Sequence, residues 1–298
     1  MKKWIVTITM TLAATLLPVP SFSAEYNFDW KEFLGQYDML WDNDITADPV
    51  FPEGVFGKRH WGRTDGYYSG ALMGNGLLGT NLYKLTDGVY RLNVGRSDVT
   101  EAREPFNVYN SGRLPIGYFT FSTAGQVQDE KMRLSIYDAV TSGALETNAG
   151  KLDFRTYVHS ERECIIFDTH AEGGETGWKL DFVPQKAISP RYVFNSANAP
   201  KGYVNAEGKS NPDSYFHKDG DISFCIQALA KDTTFTDIAR WYVVAWKTVR
   251  NGADSRTIAT VTQAGKLAKA EAEAKAIIRN AFSVSKEKLD SQHVAWWH

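Results

Sequence analysis

Cysteine is scarce in this sequence, and its scarcity excludes one broad class of secreted protein. Only two of the 298 residues are cysteines, Cys164 and Cys225, which are too few for a small domain held together by disulfides. The fold must therefore be stabilised by a packed core. Both cysteines lie in strand-like stretches. They can form one disulfide in an oxidising compartment or stay as two buried thiols, and the sequence leaves both open.

An excess of charge of either sign is also missing. Thirty-three Lys and Arg against thirty-five Asp and Glu give a formal net charge of −2, which excludes a basic nucleic-acid binder and an acidic tail. The six histidines are scattered without a metal-binding spacing, so we expect no metal and no cofactor. No Gly-x-Ser-x-Gly motif is present, which argues against a common serine hydrolase.

Long apolar runs are missing except for one stretch near the N-terminus, Trp4–Leu17. It follows two lysines and is about 14 residues long, too short to cross a bilayer core of about 30 Å. Small residues, Ser21 and Ser23, then precede Ala24 at the spacing of a signal-peptidase site. We therefore predict a signal peptide over residues 1–23, export to the periplasm or the extracellular space, and no membrane partner.

Aromatic residues are abundant at 13%, a composition typical of large β surfaces or sugar-stacking platforms. Short apolar runs alternate with Gly, Asn and Asp turn signals, and Asp87-Gly88 indicates a hairpin. This spacing predicts a mainly β fold with a large antiparallel sandwich over residues 24–250. The predicted strands are Leu77–Tyr83, Val89–Val94, Gly117–Phe121, Met132–Tyr137, Leu152–Val158, Cys164–Asp168, Trp178–Val183, Ile222–Leu229 and Arg240–Val249.

The C-terminal part has a different composition, and we predict linker helices over residues 262–298. Ala, Lys and Glu dominate from 262 to 278, with apolar residues at helical spacing at Leu267, Ala270, Ala274 and Ile277. A second helix-like stretch from 284 to 298 closes on two adjacent tryptophans. Such a pair needs a partner surface, so we expect this chain to be part of a larger protein.

The most distinctive motif is Leu72-Met73-Gly74-Asn75-Gly76-Leu77-Leu78-Gly79. No Lys-Ser/Thr follows it, so it is not a phosphate-binding loop. Gly74-Asn75-Gly76 instead predicts a tight turn that feeds a strand. The run resembles the "LPIGNGRLG" segment in the N-terminal domain of glycoside hydrolase family 95 and its relatives, which include family 65 and secreted Bacteroidetes proteins.

Further segments extend the resemblance from Trp61 to His298. They are Arg91–Asp98, Arg133–Asp138, Phe154–Ser160 and Gln292–Trp297, the last being similar to a family "H-x-x-W-W" helix. The resemblance implies a β-supersandwich, then linker helices, then an (α/α)₆ barrel that would follow His298 and hold the catalytic acid and base. Met73 and an extra loop over Asp42–Arg59 depart from the family pattern, so specificity for α-L-fucosides or related glycans does not follow from the motifs.

On this resemblance we expect no catalytic residue in this chain. Arg96, Asp98 and Trp61 are the candidates for lining a glycan cleft against the barrel, with a structural ion pair as the alternative for Arg96 and Asp98. Trp61 can stack on a sugar together with Tyr67 and Tyr68, or these rings can fill the rim of the domain. The carboxylates Glu101 and Glu104 lie near Asp98 in sequence, and a solvated loop explains them equally well.

The sequence therefore predicts the non-catalytic N-terminal domain of a secreted glycoside hydrolase, whose partners are the barrel and, through the parent enzyme, a glycan. Two alternatives stay open: a stand-alone carbohydrate-binding module, and a structural secreted domain without glycan contact. His293 lies four residues before Trp297 and is predicted to pack against the sandwich or the barrel.

Overall fold

The computed structural model describes residues 28–43, 70–101, 112–188, 211–230 and 240–298, which form two antiparallel sheets and three α-helices. The mainly β fold with C-terminal helices predicted from the sequence is confirmed. The predicted signal peptide and the candidates Trp61, Tyr67, Tyr68 and Glu104 lie outside the described residues.

The larger sheet has nine strands in the order β1-β6-β7-β8-β9-β14-β13-β12-β11. Its strands are β1 (Met39–Asp42), β6 (Val127–Ser135), β7 (Val140–Thr147), β8 (Gly150–Val158), β9 (Ile165–Gly173), β11 (Tyr215–Asp219), β12 (Ile222–Leu229), β13 (Arg240–Asn251) and β14 (Asp254–Ala264). Neighbouring strands that follow each other in the chain are joined by short turns, as in the long β13–β14 hairpin, where Gly252 has a φ of +61°.

The smaller sheet has five strands in the order β10-β5-β4-β3-β2. Its strands are β2 (Ala71–Gly74), β3 (Leu78–Thr86), β4 (Val89–Arg96), β5 (Gly117–Ser122) and β10 (Lys179–Pro184). The predicted Asp87-Gly88 turn joins β3 and β4, with Gly88 at a φ of +67°. In β4 and β5 buried residues alternate strictly with half-buried ones, because only one face of this sheet covers the core.

The main core lies between the two sheets and is rich in aromatic rings. Phe121 contacts the rings of Phe154, Phe167 and Trp178 at centroid distances of 5.1–5.6 Å. Gly143 on β7 lies under Phe154, and a Cβ there would come within 2.3 Å of that ring. The aromatic excess of the sequence is thus used in part to fill the space between the sheets.

A second core lies between the outer face of the nine-stranded sheet and the helices. Helix α2 (Leu267–Phe282) buries Ala270, Ala274, Ile278 and Ala281, which pack with residues of β12, β13 and β14. Helix α3 (Lys286–Trp297) buries Leu289 and His293. Because the central strands are covered on both faces, β13 is a continuous apolar run in its first half rather than an alternation.

Several predicted boundaries were wrong. Strand β14 runs to Ala264, where the sequence predicted a helix from residue 262, so α2 begins at Leu267. The β-branched Thr, Ile and Val residues of β14 favour a strand, whereas the Ala and Lys residues that follow β14 favour a helix. The buried stripe of α2 continues through Ile278 rather than Ile277. Five strands were not predicted: β1, β2, β7, β11 and β14. Gly143 interrupts the alternation of β7, and all of β11 is exposed.

Helix α1 (Trp30–Gly35) precedes β1 and has no buried residue. Asp29 caps its N-terminus by accepting a hydrogen bond from the Glu32 N–H at 2.9 Å. None of the helices in the described ranges is long and apolar enough to cross a membrane.

Candidate functional site

The motifs that stand out in the sequence converge on one turn of the structure, the β8–β9 turn (residues 159–164). It follows β8 and leads into β9, and its ends are joined by a hydrogen bond from the His159 N–H to the Cys164 carbonyl at 2.9 Å. Side chains from both sheets and from α3 bind this turn. It is therefore the place where the segments that carry the family resemblance meet.

Asn75 connects the Gly74-Asn75-Gly76 turn to the β8–β9 turn. Its Oδ1 accepts hydrogen bonds from the N–H groups of Leu77 and Leu78 at 3.1 and 2.9 Å, which closes the β2–β3 hairpin. Gly76 has a φ of +89°, which favours glycine. The other end of the amide, Nδ2, donates to the carbonyls of His159 and Arg162 at 3.0 and 3.2 Å. The predicted turn is confirmed, and it also joins the two sheets.

Arg96, predicted as a cleft residue, is the last residue of β4, and its guanidinium lies between the two sheets. Only 9% of its side chain is exposed. It donates to both carboxylate oxygens of Asp98 at 2.7 and 3.1 Å, to Glu163 Oε2 at 2.7 Å and to the Val261 carbonyl at 2.5 Å. Burial opposes the charge, but the hydrogen bonds to the two carboxylates outweigh it and raise the pKa of Arg96. This geometry matches the structural alternative, an ion pair that joins the sheets.

The carboxylates near Arg96 have unequal environments. The side chains of Asp98 and Glu163 are 45% and 43% exposed, and both bind Arg96. Glu101 is buried, and its backbone N–H donates to the Gly112 carbonyl at 2.8 Å. Asp98 and Glu163 can therefore accept hydrogen bonds from hydroxyl groups of a neighbouring molecule while Arg96 holds them in place.

Helix α3 binds the β8–β9 turn through His293. The N–H of Ser160 donates to His293 Nδ1 at 3.2 Å, and His293 Nε2 lies 3.1 Å from the Ala139 carbonyl. With Nδ1 as an acceptor, the proton is on Nε2 and the ring is neutral. His293 is fully buried, so its predicted packing against the sandwich is confirmed.

Two further polar contacts hold α3 on the sheet. Asp290 Oδ1 accepts hydrogen bonds from the Tyr157 hydroxyl at 2.6 Å and from Arg155 Nη1 at 2.8 Å. Burial and the neighbouring Asp290 raise the pKa of Tyr157, so the phenol stays protonated and donates. Gln292 accepts from Arg162 at 3.3 Å. Asp290 and Tyr157 were not predicted as partners, because they are 133 residues apart in the chain.

The two cysteines are free and buried on opposite faces of the nine-stranded sheet. Cys225 belongs to the core between the sheets, whereas Cys164 belongs to the core under the helices. A disulfide between them is therefore excluded, and the alternative of two buried thiols is confirmed. Burial raises the pKa of the Cys164 thiol to about 12, so it is not a reactive thiolate.

The described residues form a pocket but no cluster that could bind a metal ion. No group of three or more His, Cys, Asp or Glu side chains within them could hold a metal ion. A pocket of about 320 Å³ lies between residues 184–188 and 211–214. Its amides already bind the main chain: Asn211 Nδ2 donates to the Ala187 carbonyl at 2.6 Å, and Gln227 Nε2 donates to the Pro212 carbonyl at 2.5 Å. These hydrogen bonds stabilise the main chain that lines the pocket.

Two groups of exposed aromatic residues lie on either side of the β6–β7 turn. Around α1, Phe28, Trp30, Phe33 and Tyr37 contact one another edge to face and are 38–60% exposed. Asp38, which follows them, accepts a hydrogen bond from the Ile136 N–H at 2.8 Å.

On the other side of this turn, Trp296 and Trp297 at the end of α3 are 55% and 41% exposed. His298 stacks on Tyr137 at 3.8 Å. Both groups leave ring surface open to solvent.

Comparisons with solved structures give partial similarities of fold. No protein-family model matches the chain, and no curated protein matches it. A solved structure described as "Putative kojibiose phosphorylase from human microbiome" is similar to it with a TM-score of 0.45 and 12% identity. The alignment covers 76% of this chain and 32% of that one, so the chain spans about a third of the length of this neighbour. The TM-score and the sequence identity are both too low to assign a family or an activity.

Proposed function

We propose that this chain is the non-catalytic N-terminal β-sandwich of a secreted glycoside hydrolase similar to family 95. In the parent enzyme it would support a C-terminal helical barrel and line the glycan cleft of that barrel. The substrate would be an α-L-fucoside or a related glycan, and both catalytic carboxylates would lie in the barrel. Export through the signal peptide predicted over residues 1–23 is part of the proposal.

The observation that carries the proposal is the convergence of the resembling segments on the β8–β9 turn. Asn75, Arg96 and His293 come from three of these segments, and each binds this turn directly. Segments chosen only for their likeness to one family thus form one connected unit. In that unit α3 is fixed on the sandwich while Trp296 and Trp297 stay exposed, as the proposed contact with the barrel requires.

Asp98 and Glu163, together with Arg96, support a role of this region at a cleft. Asp98 and Glu163 are partly exposed, and the buried guanidinium of Arg96 fixes them. Such carboxylates are suited to accept hydroxyl hydrogen bonds of a sugar without acting as an acid or base. Trp61, the third predicted cleft residue, lies outside the described residues and remains a proposal.

The first test is to read the coding sequence beyond His298. A long segment with helical periodicity and paired Asp or Glu residues supports the proposal, whereas a stop codon directly after His298 contradicts it. The second test compares the longer protein with the isolated chain on aryl α-L-fucoside and related glycosides. We expect hydrolysis by the longer protein and none by the isolated chain.

A matched pair of variants tests the role of the tryptophans in the longer protein. Trp296→Ala with Trp297→Ala should lower its thermal stability and activity together, because these rings would pack on the barrel. Trp30→Ala removes an equally exposed tryptophan on α1 and should change neither. Equal effects of both changes would contradict the proposed barrel contact. N-terminal sequencing of the exported protein should begin at Ala24.

A carbohydrate-binding module is the second candidate function, and the exposed rings around α1 favour it. Trp30 and Tyr37 are 58% and 60% exposed, which leaves ring surface free for stacking on a sugar. Affinity electrophoresis of the isolated chain in a panel of soluble glycans tests this. Retardation that is lost in Trp30→Ala would support the module, and no retardation in any glycan would leave a purely structural role for α1.

A further inference from the structure

We propose that His159 and His293 form an acid-sensitive latch that holds α3 on the sandwich when both rings are neutral and releases α3 when they are protonated. This inference is independent of the proposed function. It rests on two buried imidazoles. His293 of α3 accepts a hydrogen bond from the Ser160 N–H of the β8–β9 turn, and His159 accepts one from Glu161 within that turn while its ring lies 5.9 Å from that of His293.

The hydrogen bonds fix the protonation state of both rings. The Ser160 N–H donates to His293 Nδ1, and the next N–H, that of Glu161, donates to His159 Nδ1, each at 3.2 Å. A nitrogen that accepts a hydrogen bond carries no proton. Protonation of either Nδ1 would place two hydrogens between the donor nitrogen and the ring, so the hydrogen bond would be lost.

Burial adds a second obstacle to protonation. Both histidines have no exposed surface, and their ring centroids lie 5.9 Å apart. Burial, His293 and Arg162 lower the pKa of His159 to about 4. Burial also lowers the pKa of His293 below its usual value, with a contribution from Arg155. Two positive charges at this distance in a buried site would also repel each other.

The groups around the two rings come from every element packed against them. The β8–β9 turn contributes Arg162, β8 contributes Arg155 and Tyr157, and α3 contributes Asp290. The β6–β7 turn contributes backbone acceptors at Asp138 and Ala139. Asp290 favours protonation, but it already binds Tyr157 and Arg155. The two arginines oppose it, so the site keeps the imidazoles neutral at pH 7.

The sign of the pH effect follows from the lowered pKa values. When α3 is undocked, both imidazoles are open to water and have their usual pKa near 6.5, so they bind protons that they cannot bind while α3 is docked. Docking is then fully favoured above pH 6.5 and is weakened as the pH falls from 6.5 towards 4. Only Leu289 and His293 of α3 are buried, so few apolar contacts oppose its release.

Hydrogen–deuterium exchange of the full chain tests the latch. We expect protection of residues 286–297, corrected for the intrinsic exchange rate, to fall by about tenfold or more between pH 7 and pH 5. Residues 267–282 of α2, whose buried side chains are Ala and Ile, serve as the internal reference and should keep their protection. Constant protection of α3 over this range would overturn the proposal.

Variants separate the histidines from other acid-sensitive groups. The double variant His159→Gln with His293→Gln keeps amide donors and acceptors but cannot titrate, so protection of α3 should become independent of pH. His170→Gln, which changes an exposed histidine on β9, should keep the wild-type profile. A loss of protection at pH 5 that persists in the double variant would assign the effect to carboxylates such as Asp290 and overturn the latch.

A second measurement decides the case if the double variant fails to fold. Imidazole resonances of the wild-type chain, followed by NMR against pH, should show two histidines that titrate below pH 6.5 together with shifts of α3 resonances. The exposed His170 should titrate above 6.5, because its hydrogen bond to Asp254 raises its pKa. Titration of all histidines near 6.5 without movement of α3 would contradict the proposal.

Discussion

Helices α2 and α3 lie on the same face of the nine-stranded sheet, but different interactions hold them there. Helix α2 buries a stripe of four apolar residues, Ala270, Ala274, Ile278 and Ala281. Helix α3 buries one leucine and one histidine, and its polar contacts include hydrogen bonds of Asp290 and Gln292 and an ion pair of Lys286 with Asp168. Apolar contact does not depend on pH, whereas hydrogen bonds of titratable groups do. The comparison shows that apolar packing holds one helix, whereas polar contacts hold its neighbour, as the proposed latch requires.

The largest effect should come from breaking the apolar stripe of α2. Ile278→Ala should lower the free energy of unfolding by about 3 kcal/mol, because it leaves a cavity against fully buried strands. Urea denaturation at pH 7 measures this. Ile277→Ala removes the same atoms from a half-buried position and should cost clearly less. Equal losses of unfolding free energy in the two variants would contradict the assignment of Ile278, and not Ile277, to the buried stripe.

A smaller effect should come from the polar contacts of α3. Asp290→Asn removes the carboxylate that binds Tyr157 and Arg155, and should weaken the docking of α3 by about 1–2 kcal/mol. Hydrogen exchange should show faster opening of residues 286–297 with little change in α2.

Tyr157→Phe is the control for the carboxylate of Asp290. It removes one hydrogen bond and keeps the ion pair with Arg155, so its effect should be smaller than that of Asp290→Asn. A global loss of stability in Asp290→Asn would contradict the distinction between the helices.

The smallest effect on stability should come from an exposed histidine. Its stabilising contribution should be lost as the pH rises, whereas the docking of α3 should weaken as the pH falls. The hydrogen bond from His170 to Asp254 raises the pKa of His170, so its stabilising contribution is present below pH 6.5 and is lost as the pH rises through the folded pKa. His170→Gln should therefore be slightly less stable than wild type at pH 5.5 and equal to it at pH 8. Thermal denaturation at the two pH values measures this, and a larger loss at pH 8 would contradict it.

The sequence predicted more of the fold than of the site, for a physical reason. Strands such as Val89–Arg96 face one core and alternate, so their pattern is local and visible. Strand β14 contributes to both cores, so its buried residues do not alternate with exposed ones. Several of these buried residues are threonines, which do not read as apolar, and the strand was therefore missed. Turn residues such as Gly76 and Gly88 were predicted correctly because a positive φ depends on the residue itself.

The site depends on partners that are distant in sequence. Arg96 has an unremarkable position in the chain, and only the structure shows that it reaches Val261, 165 residues away. The same is true of His293 and Ser160, which are 133 residues apart. The sequence predicted Asn75 as part of a tight turn and His293 as a residue that packs, but it could not show that both bind the same turn.

Much of the hydrogen bonding that holds the β8–β9 turn uses its main chain. The carbonyls of His159, Arg162 and Glu163 accept hydrogen bonds from side chains elsewhere, and the N–H groups of Ser160 and Glu161 donate to imidazoles. A loop whose shape does not depend on an exposed side chain, such as that of Glu161, can change that residue during evolution at little cost to the scaffold. Substitutions at Glu161 should therefore change the surface of this turn while its main-chain hydrogen bonds keep its shape.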